Sequence, residues 1–440
     1  MDEDKRVGLS SGDNPIEFKI IYGQYDRIKF CEEIGRGGSG ICYRAIMSSS
    51  KTQNEQCCII KEYYPVEKNV HNKKICYHRE KIGEALKIIP KEDMEEKTFK
   101  DFRKNEIEII QSIKDRELDN NKKIYFDSER DLNNAPFAFR MEELNFCETD
   151  RIDTDTFYMI VDTSDGVTLL EKMERHTDGI LRDFSYLERC IGYVKRLLDV
   201  IEYINNKGFI HGDIALDNVF LAGGALDVEI ENIQIKLLDF GSAFCPEEYR
   251  PEDFDDEEEI KDIAKKIIGD VTIGSSHNYI CSPQIKNFND TKDAYDNVNG
   301  YRTATGLVEA LLDVNFKSDV YSVIILFYYM LFKKVFSVDG KDRCENPDHV
   351  KRMLGFDEGF NTILSEEIFS IMKRNDRMEY KDIDDARKMI DEFEDIVVNQ
   401  GYSEVFLMRG SINYYKDFIS KELSKGDDED LYPCVQIVEN

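Results

Sequence analysis

The chain has 440 residues, of which 41% are apolar and 34% charged, and it carries a formal net charge of -30. That length can bury one large or two medium cores, and the composition is that of a soluble globular protein rather than a disordered one. So acidic a chain is repelled by nucleic acid and by anionic membrane. Neither is expected as a partner, and a nucleotide site would have to supply its own cations. Eleven cysteines include the neighbours Cys57 and Cys58 but no C-x-x-C. Metal ribbons and redox motifs therefore lack their spacing, and reduced thiols in a cytoplasmic setting are expected.

Residues 1–24 form a polar N-terminal segment, and its first fourteen residues show no apolar core of a secretory signal and no transit peptide. Glycines then fall at Gly35, Gly37 and Gly40, with Arg36, Gly38 and Ser39 between them and Cys42 just beyond. This G-x-G-x-x-G spacing lets backbone amides approach phosphates, but alone it suits a plain hairpin or a dinucleotide-binding turn equally well. The stretch from Gln56 to Lys61 reads as a short apolar strand, where a dinucleotide-binding unit needs a helix, and no G-K-[ST] occurs.

Lys61 gains interest if a carboxylate reaches it. A helix is predicted from Asp101 to Ile113, because Phe102, Glu106, Ile109, Ile110 and Ile113 recur at spacings of three and four. Glu106 then lies on the inward face, where an acid needs a partner, and Lys61 is the expected one, with Glu108 as the alternative acid. The polar, lysine-rich stretch from Asn69 to Lys97 between them reads as an inserted loop with some helix. Strands are predicted at Phe137–Leu144 and Phe157–Asp162. They lead into a turn, Thr163 to Gly166, that is the candidate linker for an adenine ring, with Asp162 and Ser164 at its edge.

A long helix bearing Leu187, Ile191, Val194, Leu198, Ile201 and Ile204 stops at Gly208 and delivers the chain to the string running from His211 to Asn218. After it come an expected hairpin, Val219 to Leu238, and the string Leu237-Leu238-Asp239-Phe240-Gly241. An acid five residues before an asparagine, with a second acid at a strand end, meets the needs of phosphoryl transfer. Asp213 serves the incoming hydroxyl, and Asn218 with Asp239 offers the oxygen donors that Mg²⁺ prefers. The acidic segment 245–270, with a helix expected over Glu257 to Ile268, reads as a surface insertion, and 285–316 as a polar insert. The apolar run Val323–Phe332 is too short to span a bilayer and reads as a buried helix. Helical patterns continue at Phe360–Met372 and Asp382–Val397. In the tail, 399–440, the amphipathic piece Ile412–Leu423 is read either as docking on the large lobe or as binding a regulatory partner.

From about Tyr25 to Val398 these strings resemble the eukaryotic-type protein kinase family, serine/threonine kinases more than tyrosine kinases, and the run Lys61-Glu62-Tyr63-Tyr64-Pro65 looks like bacterial members more than animal ones. The glycine-rich loop, V-A-I-K, H-R-D-x-x-x-x-N, D-F-G and A-P-E patterns are matched in order by Gly35–Gly40, Cys58–Lys61, His211–Asn218, Asp239–Gly241 and Ser282–Gln284. The resemblance implies an α+β, two-lobed protein-kinase-like fold. Its small β-rich N-lobe, with one key helix, would span 25–163, and its larger, mainly helical C-lobe 164–398. It implies Mg-ATP as cofactor and a protein acceptor, with Lys61 on the α- and β-phosphates and paired to Glu106. Asp213 would be the base, Asn218 and Asp239 the metal ligands, and Ser318-Asp319 the head of a helix that braces the catalytic loop.

The chain departs from the pattern at Gly212 for arginine, Ala215 for lysine and Gln284 for glutamate. Ala215 removes a cation from the γ-phosphate and leaves serine/threonine and tyrosine specificity both open, since tyrosine kinases also carry alanine there. Gly212 removes the one that an activation-segment phosphate would neutralise. A small-molecule phosphotransferase and a nucleotide-binding scaffold are the two alternatives to an active protein kinase.

Overall fold

The computed structural model describes residues 16–36, 40–63, 77–82, 85–90, 111–124, 141–144, 157–161, 166–175, 184–222, 234–273, 281–297, 300–332, 366, 369–371, 373–375 and 377–396. The chain divides into two compact units. One comprises Met1–Asp165 with Leu237–Ala243, and the other Gly166–Lys236 with Phe244–Asn440.

The first unit is built on strands β1 (Ile16–Tyr22), β2 (Tyr25–Arg36), β3 (Ile41–Ser48), β4 (Glu55–Tyr63), β7 (Met141–Glu143) and β8 (Phe157–Val161). They form an antiparallel sheet in the order β1-β2-β3-β4-β8-β7, while β5 (Tyr77–Ile82) and β6 (Ala85–Pro90) pair separately. Period-two alternation sends Ile41, Tyr43, Ala45 and Met47 of β3 to one face, where Phe18, Phe30, Cys58 and Ile60 complete an apolar core. Glu62 is buried on that same face. Its two carboxylate oxygens accept hydrogen bonds from the hydroxyls of Tyr43 at 2.6 Å and Tyr158 at 2.8 Å, which offsets the cost of burying it. Lys61 and Tyr63, one residue to either side, face the opposite way.

The helix of this unit, α1, is described over 111–124 and therefore runs well past Ile113, where the periodicity ended it. Its buried stripe is Ile113, Lys114, Glu117, Asn120, Asn121 and Ile124, a spacing of three and four that carries four polar side chains among the apolar ones. Residues 101–110, including Glu106 and Glu108, lie outside the described residues.

In the second unit β9 (Gly166–Thr168), β10 (Val219–Ala222) and β11 (Gln234–Leu237) form a small sheet in the order β11-β10-β9, so the expected hairpin gains a third strand. Gly166 is required there, since a Cβ would stand 2.2 Å from the carbonyl oxygen of Leu221. Helix α2 (Leu169–Arg175) comes next, then α3 (Phe184–Asn206). The end of α3 is a Schellman motif: Phe209 N donates to Ile204 O, Gly208 N donates to Asn205 O, and Gly208 takes φ +81°.

Helix α7 (Phe316–Phe332) is buried all round from Val320 to Phe327. It packs on α3 and on α8 (Ile383–Ile396), with the rings of Phe327 and Phe393 edge to face at 5.4 Å. Arg387 of α8 reaches Asp199 at 2.8 Å and Glu202 at 2.6 Å on α3.

The segments 245–270 and 285–316 are not surface additions. Helices α4 (Glu257–Asp270), α5 (Pro283–Asn297) and α6 (Tyr301–Asp313) enclose a core of Ile260, Ile267, Phe288, Leu307, Val308 and Leu311. Their charged residues occupy the outer faces, and the apolar ones, three and four apart, turn inward. Among the described residues no helix is long and apolar enough to cross a membrane.

Candidate active site

In the first unit Lys61 stands near the end of β4, its side chain 10% exposed. Its Nζ lies 2.8 Å from Oε2 of Glu117 and 3.0 Å from Oδ1 of Asp239. Burial alone would pull this ammonium down, but Asp239 and Glu117 more than offset it and hold it above the ordinary lysine range. The Tyr63 hydroxyl also donates to Oε2 of Glu117, and the Lys61 ammonium sits 5.2 Å from the Tyr63 ring centroid. Burial raises the carboxyl of Glu117, against the pull of Lys61. The carboxylate that reaches Lys61 is thus one the sequence did not single out.

Asp239 comes just after β11 and takes φ 58°, ψ 71°, a left-handed conformation that costs a non-glycine residue about 1 kcal/mol or more and concentrates at functional positions. Its Oδ1 accepts from Gly241 N at 3.3 Å and so caps the single 3-10 turn Phe240–Ser242. Cys42 lies directly opposite Lys61 in the β3–β4 ladder, and burial pushes its thiol up to about 11. Gly35 and Arg36 end β2, opposite Cys42 and Ile41. A Cβ on Gly40 would stand 2.3 Å from Glu62 O, so only glycine lets the chain turn this close to β4. Gly37, Gly38 and Ser39, and likewise Asp162 and Ser164, lie outside the described residues.

In the second unit the loop from His211 to Asn218 is fixed by Asp319 at the head of α7. Oδ2 of Asp319 accepts from His211 N at 2.8 Å and Oδ1 from Gly212 N at 2.9 Å, while Gly212 takes φ +74°. Burial raises the Asp319 carboxyl. His211 is fully buried and its Nδ1 accepts from Asp213 N at 3.4 Å. Asn218 Nδ2 donates to the backbone oxygen of Asp213 at 2.9 Å and to its Oδ2 at 3.4 Å. The loop therefore sets Asp213 beside Asn218. With the amide nitrogen engaged, Asn218 has its oxygen to offer, which is the donor a hard cation takes. Asp239, its side chain 41% exposed, offers carboxylate oxygen of the same kind.

Ser282 and Gln284 are structural here. Ser282 Oγ accepts from Ile285 N at 3.2 Å at the start of α5, and Ser318 Oγ donates to Gln284 Oε1 at 2.6 Å. Ala215 is fully buried.

An antiparallel sheet that holds a buried lysine against one helix, together with a mainly helical unit that carries a braced H-G-D-x-x-x-x-N loop, makes this a protein-kinase-like α+β fold. The chain is similar to the kinase domain of PknI from Mycobacterium tuberculosis, crystallised as a double mutant. The match covers 86% of this chain and 96% of that one, with a TM-score of 0.40 and 9% identity. No family model matches the chain.

Proposed function

We propose that the chain is an ATP-dependent protein kinase that transfers the γ-phosphate of Mg-ATP to serine or threonine hydroxyls. The observation that carries the proposal is the Lys61 ammonium held between Glu117 and Asp239, a buried cation fixed at the end of a strand beside a glycine turn. A group so placed neutralises phosphate oxygens without reorganising when they arrive. Gly35, Gly37 and Gly40 would let backbone amides close over the phosphates. Asp213 would orient the acceptor hydroxyl and take its proton as the new O–P bond forms and ADP leaves. Asn218 and Asp239 would hold Mg²⁺, which when bound neutralises charge on the transferring group.

A non-catalytic nucleotide-binding scaffold is the second reading. It is favoured by Ala215, whose buried methyl group supplies no cation near Asp213.

Labelled Mg-ATP with casein or myelin basic protein separates the two. Transfer is expected from the parent and is lost in Lys61→Met and Asp239→Ala. Asp213→Asn should still gain thermal stability from Mg-ATP while transferring nothing, because Asp213 acts on the acceptor. Both site variants retaining parental activity would defeat the assignment.

A further inference from the structure

Helix α1 does more than bring Glu117 to Lys61, because it also binds the backbone just beyond Asp239. Asn120 is 6% exposed, and its Nδ2 donates to Phe240 O at 3.1 Å and to Ala243 O at 2.7 Å. One turn earlier on the same face, Arg116 Nε donates to Gly241 O at 3.1 Å. Three carbonyls of the four residues after Asp239 thus accept from two side chains of one helix. Those carbonyls belong to the turn that Asp239 itself caps, and they come directly after its left-handed backbone. A residue in a sparsely populated backbone conformation persists where its surroundings over-determine it, and these bonds from helix α1 add to the local cap that Asp239 makes to Gly241 N. A buried amide that donates twice is costly to leave unmade, so both hydrogen bonds of Asn120 bear on how the turn is held.

We propose that Asn120, assisted by Arg116, is a positioning residue that holds the 239–243 turn so that the Asp239 carboxylate is presented to the metal of the nucleotide. This rests on the phosphotransferase reading of the site. Asn120 touches neither nucleotide nor acceptor on this proposal, and it acts through the backbone of Phe240 and Ala243.

The test compares the full chain with Asn120→Asp, which keeps the shape but sets a carboxylate against two carbonyls, and with Arg116→Met, which removes the single outer donor. Hydrogen exchange of the peptide spanning 238–244 should rise about tenfold or more in Asn120→Asp, and less in Arg116→Met, while peptides of β3 and β4 are unchanged. The Mg²⁺ concentration for half-maximal transfer should rise about tenfold, with KM for the protein acceptor unmoved, since a displaced ligand acts on the metal step alone. Unchanged exchange in the 238–244 peptide overturns the clamp whether or not the chain transfers phosphate. Raised exchange with an unchanged Mg²⁺ response overturns its positioning role. If Asn120→Asp does not fold, Arg116→Met alone decides by the same two readings. A parent that transfers no phosphate defeats the phosphotransferase reading and the positioning role with it, and leaves the exchange comparison to decide the clamp.

Discussion

Lys61 meets Glu117 through a single oxygen, Oε2, which also takes the Tyr63 hydroxyl, while Oε1 is buried with no hydrogen-bond partner among the described residues. The pair is therefore one in which each charge depends on the other. Removing one partner of a buried pair costs about 3–5 kcal/mol, whereas replacing both with apolar groups is near neutral. Lys61→Met should lower the free energy of unfolding by an amount in that range, because Glu117 is left to Tyr63 alone. Glu117→Leu should cost less, since Asp239 still faces the ammonium. The double variant Lys61→Met, Glu117→Leu should recover most of the loss in urea unfolding while remaining inactive. Losses that simply add would show that the two charges are not coupled.

The same carboxylate sets a pH dependence. Burial, the largest cause, raises Glu117 above its ordinary 4.5, with Asp239 adding to the rise while Lys61 and the two hydrogen bonds oppose it. Cys42 also faces this cluster. From 4.5 upward the folded chain holds a proton that the unfolded chain has released. The stability due to this group is thus fully present below 4.5 and is lost as pH rises through the folded value. Glu117→Gln has no such dependence, so parental stability should fall relative to that variant as pH rises across this window. Activity should move the opposite way, because the ionised form is the one that pairs with Lys61. The kcat/KM profile of the parent for ATP should show an acidic limb in that window which the residual activity of Glu117→Gln lacks. Stability curves that run parallel across the window would count against Glu117 as the titrating group.

How much of the site is legible in the sequence depends on sequence distance. Lys61, the string from His211 to Asn218 and the string around Asp239 are contiguous, so their residue types announce themselves. Glu117 is 56 residues from Lys61, and only the face of its helix could point to it. Ending that helix at Ile113 hides the continuing stripe, although Ile113, Glu117 and Ile124 keep the spacing. Asn120 is hidden for a second reason, since its partners are backbone carbonyls that no residue type encodes. The run Glu252–Glu259 makes 245–270 look like surface. Yet Ile260, Ala264 and Ile267 are spaced to face a core, and there periodicity is the better guide than charge density.

Gly40 gives a steric prediction. Since an added Cβ would fall 2.3 Å from Glu62 O, Gly40→Ala must push β3 away from β4 where Cys42 pairs with Lys61. Overpacking of this kind costs about 1–3 kcal/mol. KM for ATP should rise together with the loss of stability, and Cys42→Ser at the neighbouring position should leave the fold intact. A Gly40→Ala protein with parental unfolding and parental KM would show that the turn has room to give.

The last prediction concerns the brace on the loop from His211 to Asn218. Asp319 accepts from two backbone amides that are otherwise buried, so Asp319→Ala leaves both unpaired, at about 1–3 kcal/mol each. Asp319→Asn keeps one acceptor and turns an N–H toward the other amide, so it should fall between the parent and alanine. Gly212 sits at φ +74°, where a side chain costs about 1 kcal/mol, and Gly212→Ala should therefore destabilise mildly while leaving both hydrogen bonds in place. The ranking expected from urea midpoints is parent, Gly212→Ala, Asp319→Asn, Asp319→Ala. Phosphate transfer should fall more steeply than stability at the Asp319 variants, because the loop that loses its anchor is the one that aims Asp213. Equal activity in Asp319→Ala and Gly212→Ala, despite different midpoints, would mean that the loop holds its shape without the brace.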